Sequence, residues 1–444
     1  MTTGVSEATL PPAADTLGRL LHAAAPTVAG RVTRAVGLSV DVAGLDLGVG
    51  EAVQLDGDAG SILAEVVALH DEVATCMPVS DLRGVRRGSR VVATGGPLMV
   101  PIGPGLLGRV VDALGRPMDG GPALRDVVPT GVDGIPPVAM SRARIDTQMG
   151  FGVRALDTLV PCGRGQRIGI FAGSGVGKSS TLSMIIRGTD APICVLALVG
   201  ERGREVREFV ERDLGPEGLA RSVVVVATSD EPALVRLRAA FTATRIAEWF
   251  RDQGEDVLLC MDSVTRVAMA QREVGLAAGE PPATRGYPPS VFGLLPQLLE
   301  RAGTAARGSI TGLYTVLVEG DDMNDPIADA ARSILDGHVV LDRRLATAGH
   351  FPSIDVLESI SRSDNAITSP EQRADATVLR QLLAARRDAK DLVEIGAYVP
   401  GSNPLVDRAL ASSEAIDAFL RQGIDDVADP SVSWSALHAL AVSA

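Results

Sequence analysis

The chain is short of several residue types, and each shortage closes off a class of function. Only four of its 444 residues are cysteine (Cys76, Cys162, Cys194 and Cys260), and none forms a CxxC pair. That spacing is too sparse for a disulfide framework and fits a reducing compartment. Aromatic residues make up 3%, too few to build base-stacking platforms. Basic residues are outnumbered: 42 Lys plus Arg against 55 Asp plus Glu give a formal charge of −13. This is the wrong sign for gripping phosphate backbones, so no nucleic-acid partner is expected. No apolar run approaches the ~18 residues that span a bilayer. The first twenty residues carry Glu7 and two prolines in place of the basic start and apolar middle of a secretory signal. A soluble, cytoplasmic protein is expected. Lysine is the scarcest charged residue. Lys178 and Lys390 stand alone among 40 arginines, and a lysine on that background marks a position that wants a compact ammonium.

What is present is ordinary globular composition, 46% hydrophobic and 22% charged, in a length that suggests about three domains at roughly 150 residues each. Residues 1–27 form an Ala-, Pro- and Thr-rich leader. In it Leu17, Leu20 and Leu21 predict a short amphipathic helix over 16–25, which either packs on its own chain or docks a partner. Residues 28–97 run in short Val/Leu stretches broken by Gly, Asp and Pro, the texture of a small antiparallel β-barrel. A Pro/Gly-rich bridge follows over 98–150. Its Gly103-Pro-Gly105-Leu-Leu-Gly108 matches a dinucleotide fingerprint by letter alone, because Pro104 lacks an N–H and Gly115-Arg-Pro117 stops any following helix. From residue 166 the apolar runs RIGIFA, PICVLALVG, SVVVVATS and DVLLCMDS alternate with helical stretches, which predicts a parallel sheet covered on both faces. Residues 371–444 read as a separate helical domain.

The chemistry concentrates where the first of those strands ends. Ala172-Gly173-Ser174-Gly175-Val176-Gly177-Lys178-Ser179, followed by Ser180, joins a strand to a helix in the Walker A arrangement. The glycines let main-chain N–H groups wrap phosphates, and the helix start adds its partial positive charge. Lys178, one of the two lysines, stands where the β- and γ-phosphates would lie, and the Ser179 hydroxyl is a Mg²⁺ ligand candidate. Asp262 ends the apolar run DVLLCMD, as a Walker B acid with Mg²⁺ held through water would. Glu201 ends PICVLALVG at the same predicted sheet edge and is the candidate general base, with Arg202 orienting it or touching phosphate.

With these residues in place, the sequence resembles the hexameric secretion and rotary ATPases from Gly30 to the C-terminus. The marks are GRGQRIGIFAGSGVGKS (163–179), GERGREVREF (200–209), MDSVTRVAMAQRE (261–273), GEPPATRGYPPSVF (279–292), EGDDMNDPIAD (319–329), AGHFPSIDVLESISR (348–362) and IGAYVPGSNPLVDRAL (395–410). Within the family the flagellar protein-export branch is the nearest. The resemblance implies an α/β fold: a P-loop, RecA-like parallel-sheet core over 98–370, an N-terminal β-barrel and a C-terminal helical domain. It implies Mg²⁺ and ATP. By position it implies Glu201 as the glutamate that polarises the attacking water, and Asp262 as the Walker B acid. Arg202, Arg266 and Tyr287 fall at the γ-phosphate end. Arg362, in ESISR, matches an arginine finger that enters the neighbouring subunit's site. Phe351 and Tyr398 match the two aromatics of the adenine slot.

The same resemblance implies a homohexamer with a coiled-coil stalk protein in its pore and a stator-like regulator on the leader. Further implied partners are an inner-membrane export gate, with which a cytoplasmic ring associates peripherally, and export substrates with their chaperones. A virulence-type secretion ATPase and a rotary synthase catalytic subunit share these motifs. A Rho-like RNA translocase shares the core architecture but wants the basic, aromatic surface that is missing here. A non-hydrolysing nucleotide-binding scaffold would not need Glu201 and Asp262.

Overall fold

The computed structural model describes residues 28–58, 60–318, 320, 322 and 325–443. The predicted leader helix over 16–25 lies outside them. Two compact units are present, one ending at Gly96 and the other running from Pro97 to the C-terminus, with Val79–Asp81 belonging to the second.

In the first unit, β1 (Gly30–Val36), β2 (Ser39–Ala43), β3 (Glu51–Gly57), β4 (Gly60–His70), β5 (Val73–Pro78) and β6 (Arg90–Pro97) close into a barrel of order β1-β2-β5-β4-β3-β6. Alternation makes the barrel: in β2, Val40 and Val42 point inward between partly exposed Ser39, Asp41 and Ala43. These valines join Val32, Leu55, Val66 and Cys76 in one apolar core.

The second unit is built on a nine-stranded sheet. Its strands are β7 (Arg109–Asp112), β8 (Arg167–Ala172), β9 (Ile193–Glu201), β10 (Ser222–Thr228), β11 (Asp256–Asp262), β12 (Ser309–Leu317), β13 (Gly337–Leu341) and β14 (Ile354–Ser361). They are ordered β14-β13-β8-β12-β11-β9-β10-β7, and the short Gly303–Thr304 strand pairs beside β12. From β13 to β7 the pairing is parallel; β14 alone on this path runs antiparallel, against β13. Nearly every residue of β9 and β12 is buried, as strands covered on both faces must be.

The helices that position the site are α1 (Lys178–Gly188), α2 (Gly203–Glu208), α3 (Ala233–Asp252) and α4 (Val264–Ala277), followed at the C-terminus by α5 (Pro370–Glu394), α6 (Pro404–Ala411), α7 (Ser413–Leu420) and α8 (Pro430–Ser443). Helix α5 opens on a reciprocal cap in which Ser369 and Gln372 satisfy each other's main-chain N–H groups. Its buried Leu379, Leu382 and Leu383 join the same apolar cluster as β8 and β9. The Gly103–Gly108 segment is a loop with a single turn of 3₁₀-helix at Pro104–Leu106, as the proline requires.

Candidate active site

Parallel pairing brings the ends of β8, β9 and β11 to one edge of the sheet, and the chain leaves β8 there through a glycine turn. Gly177 caps α1 in the left-handed region at φ +93°, a conformation that a side chain at this position would resist. No acidic residue occupies the first turn of α1, so its N–H groups and dipole face an anion unopposed. Leu198 of β9 pairs with Asp262 of β11, which sets Glu201 and Asp262 on neighbouring strand tips. Lys178, first in α1, closes the group: its ammonium donates to Asp262 Oδ1 and lies 3.6 Å from Glu201 Oε1.

Arg266, in the first turn of α4, donates from Nη1 to the Gly200 carbonyl at 2.6 Å, and its Nε lies 3.5 Å from Glu201 Oε1. Gly200 adopts φ +72°, and a Cβ there would sit 2.7 Å from Arg266 Cδ. The glycine is what lets the guanidinium come so close.

Two atoms in this cluster are buried without a hydrogen-bond partner: Glu201 Oε1 and Arg266 Nε. Burial pushes the Glu201 carboxyl above its ordinary range. The ammonium of Lys178 pulls it back, and the charge of Asp262 pushes it further up. A carboxylate raised in this way, with one oxygen uncommitted, is suited to taking a proton from water. The cluster opens into a cavity of about 400 Å³ lined by Ser179, Glu201, Asp262 and, farther out, Arg187 and Asp425. One wall is the π-helical turn Phe209–Leu214, an irregularity that recurs at functional sites.

The donor set fits Mg²⁺ delivered with a nucleotide. Ser179 and Asp262 present hard oxygen donors to the cavity beside the phosphate turn. Among the described residues no three His, Cys, Asp or Glu side chains gather to hold a metal alone. Phosphate oxygens and water would complete the shell.

On the far side of the turn, the ring of Phe351 flanks Gly177, 3.5 Å from where a Cβ would stand, and is 45% exposed. A half-exposed ring beside the phosphate turn offers its face for stacking a base. Ser353 Oγ donates to the Val176 carbonyl at 2.6 Å, and the Gln422 main-chain N–H donates to the Phe351 carbonyl at 2.9 Å.

Not every residue expected at the site arrives there. Arg202 is the cap residue of α2, its side chain 78% exposed and paired among the described residues with Glu205 at 3.5 Å. Alternation past Glu201 turns it outward. Tyr287 is buried against Phe292 under the Arg272 guanidinium. The Tyr398 hydroxyl donates to Asp407 at 2.9 Å and to the Asn403 carbonyl at 3.1 Å, making it a brace for α6. Arg362 follows β14, where its N–H meets the Asp336 carbonyl. Because β14 runs antiparallel to β13, Arg362 is exposed at the sheet edge opposite Lys178.

The structure adds residues that the motifs did not single out. Arg187 donates to Asp425 at 2.8 Å, Ile424 lines the cavity, and Gln422 and Thr315 hold neighbours of the site. Only Thr315 left a trace, a polar residue inside the apolar run SITGLYTVL.

Comparison with known proteins agrees with this geometry. Residues 152–361 match the nucleotide-binding domain of the ATP synthase alpha/beta family, residues 32–95 its beta-barrel domain, and residues 368–439 the C-terminal domain of the type III secretion ATPase EscN. The flagellum-specific ATP synthase of Bacillus subtilis strain 168 is 52% identical, covering 93% of this chain and 94% of that one. The assembled ATPase EscN of the enteropathogenic E. coli type III secretion system is similar with a TM-score of 0.89 at 44% identity, covering 93% of this chain and all of the other. EscN in complex with its central stalk EscO is similar at a TM-score of 0.86, 43% identity and the same coverage.

The chain belongs to the flagellar and type III secretion ATPases. Like other members it is an ATPase, with a β-barrel, a P-loop sheet and a C-terminal domain in that order. Nothing favours an RNA translocase or a scaffold without activity. No helix among the described residues is long and apolar enough to cross a membrane.

Proposed function

We propose that this ATPase is the Mg-ATP-hydrolysing motor of flagellar protein export and couples turnover to unfolding and handing over export substrates. The reading rests on one observation above all: the Lys178 ammonium is shared between two acids at adjoining strand tips, beside a helix start free of negative charge. Gly173, Ser174, Gly175, Val176, Gly177 and Ser180 shape the phosphate turn, and Lys178 neutralises the β- and γ-phosphates. Ser179 and Asp262 would hold Mg²⁺, which supplies Lewis-acid charge to the phosphate oxygens. Glu201 takes the proton of the attacking water, and Arg266 steadies it through the Gly200 carbonyl. Phe351 stacks on adenine.

Arg362 cannot serve the site of its own chain, since the whole length of the sheet separates it from Lys178. It serves the adjoining subunit of a homohexamer, where a guanidinium supplied in trans stabilises transition-state charge. Support comes from the likeness to assembled EscN and to EscN with its stalk, and by that analogy a coiled-coil stalk occupies the pore. The leader binds a stator-like regulator, and the cytoplasmic ring docks peripherally at the inner-membrane export gate, where it meets substrates and chaperones.

Mixed rings test the arrangement. Lys178→Ala and Arg362→Ala subunits are each inactive alone, and mixing them restores part of the turnover because one interface regains both residues. Activity that stays absent in mixtures, or Arg362→Ala rings with full activity, removes the finger in trans. Full activity in Lys178→Ala removes the phosphate-turn reading.

A further inference from the structure

We propose that Thr315 is a positioning residue that dedicates one oxygen of Asp262 to the protein and leaves the other for the hydrated metal. Thr315 lies on β12 between β8 and β11, fully buried. Its Oγ1 donates to Asp262 Oδ1 at 2.7 Å, and the Lys178 ammonium donates to the same oxygen. Among the described residues, both hydrogen bonds to the Asp262 side chain therefore fall on Oδ1. Two donors on one oxygen fix the carboxylate's rotation about its last bond, so Oδ2 is turned to the cavity that Asp262 lines.

Lys178 alone could not do this. Its ammonium is a flexible point charge that Glu201 also attracts, 3.6 Å away, and it is the group expected to engage phosphate. When the ammonium turns to a nucleotide, Thr315 is the donor that stays, held by a strand buried on both faces.

The neighbouring turn repeats the device. Thr265 Oγ1 accepts from the Leu317 N–H at 2.8 Å and so ties the first turn of α4, which carries Arg266, to the same end of β12. One strand thus sets both the acid and the arginine. Outer partners of metal-binding groups typically change metal affinity or activity 10–100-fold when removed.

The inference rests on the reading that Ser179 and Asp262 hold Mg²⁺, and the test separates the two. ADP binding is measured by calorimetry with Mg²⁺ and with chelator, so that no turnover enters; the readout is the ratio of the two affinities. Thr315→Val keeps the shape and removes the donor, and lowers that ratio about 10-fold, while ADP binding in chelator stays as in the parent. Thr315→Ser keeps the hydroxyl and restores the ratio. A Thr315→Val protein with the parent's ratio, or Val and Ser variants that behave alike, overturns the proposal. Should the valine variant not fold, Thr315→Ala against Thr315→Ser gives the same comparison. Ser179→Ala is the control. If it too leaves the ratio unchanged, the metal reading itself fails; if it lowers the ratio while Thr315→Val does not, only the role of Thr315 fails.

Discussion

Two acid–arginine clusters sit at opposite edges of the same sheet, and they differ in depth of burial and in how completely they are hydrogen-bonded. At the edge where the strands begin, Glu248 of α3 and Arg301 are 1% and 2% exposed. Both Glu248 oxygens accept from Arg301 at 2.7 Å, and the third guanidinium nitrogen donates to the Val132 carbonyl at 3.1 Å. Each nitrogen and oxygen atom of these two side chains has a partner. At the edge where the strands end, Glu201 and Arg266 approach each other yet leave Glu201 Oε1 and Arg266 Nε without hydrogen-bond partners. A closed pair stabilises and does no chemistry, whereas an open one retains the capacity to bind and to move a proton.

The largest expected effect sharpens the contrast from the open side. Glu201→Gln lowers turnover about 10²–10⁴-fold and retains Mg-ATP binding, as phosphate release and equilibrium binding on the same preparation would report. From the closed side, Glu248→Ala strands the Arg301 guanidinium and costs about 3–5 kcal/mol of stability, measured by denaturant unfolding. Equal turnover in Glu201→Gln and parent protein would break the distinction.

A third group probes whether an open valence is enough. Asp157 accepts from the Phe151 N–H at 2.7 Å, its Oδ2 has no partner, and burial pushes its carboxyl up to about 7. An unfolded aspartate titrates near ~3.9. Between those values the folded chain holds the extra proton, so this residue's contribution to stability declines as pH rises from about 4 to about 7. Asp157→Asn flattens that slope between about pH 4 and about pH 7, seen in melting midpoints, and leaves turnover unchanged because no phosphate-binding group touches it. The smallest effect belongs to exposed Arg202, where alanine shifts unfolding free energy by no more than about 0.5 kcal/mol.

Much of the fold was legible because its signals are local. The short Val/Leu stretches over 28–97 announced a barrel, and the unbroken apolar runs before Gly173, Arg202 and Ser263 announced a buried parallel sheet. Glu201 and Asp262 were readable because a charge that ends a buried strand surfaces at its tip, and Lys178 because it closes the glycine turn after Ala172. Orientation beyond the tip was not readable. Arg202 and Glu201 are adjacent in sequence yet turn to opposite sides, and Tyr398 spends its hydroxyl on Asp407. Gln422 reaches Phe351 across 70 intervening positions, a distance at which spacing carries no information. Arg362 could be matched by resemblance, but only the antiparallel course of β14 puts it at the opposite edge from Lys178.

The four thiols have a practical consequence. Cys76 lies in the barrel and Cys162, Cys194 and Cys260 in the sheet unit, all buried. Burial raises Cys76 to about 12 and Cys194 to about 11, so alkylating reagents, which need an accessible thiolate, meet none in the native chain. Maleimide uptake therefore serves as a built-in clock for opening. Mass-resolved labelling of Cys76 against the other three would time the melting of each unit separately, without adding a single reporter.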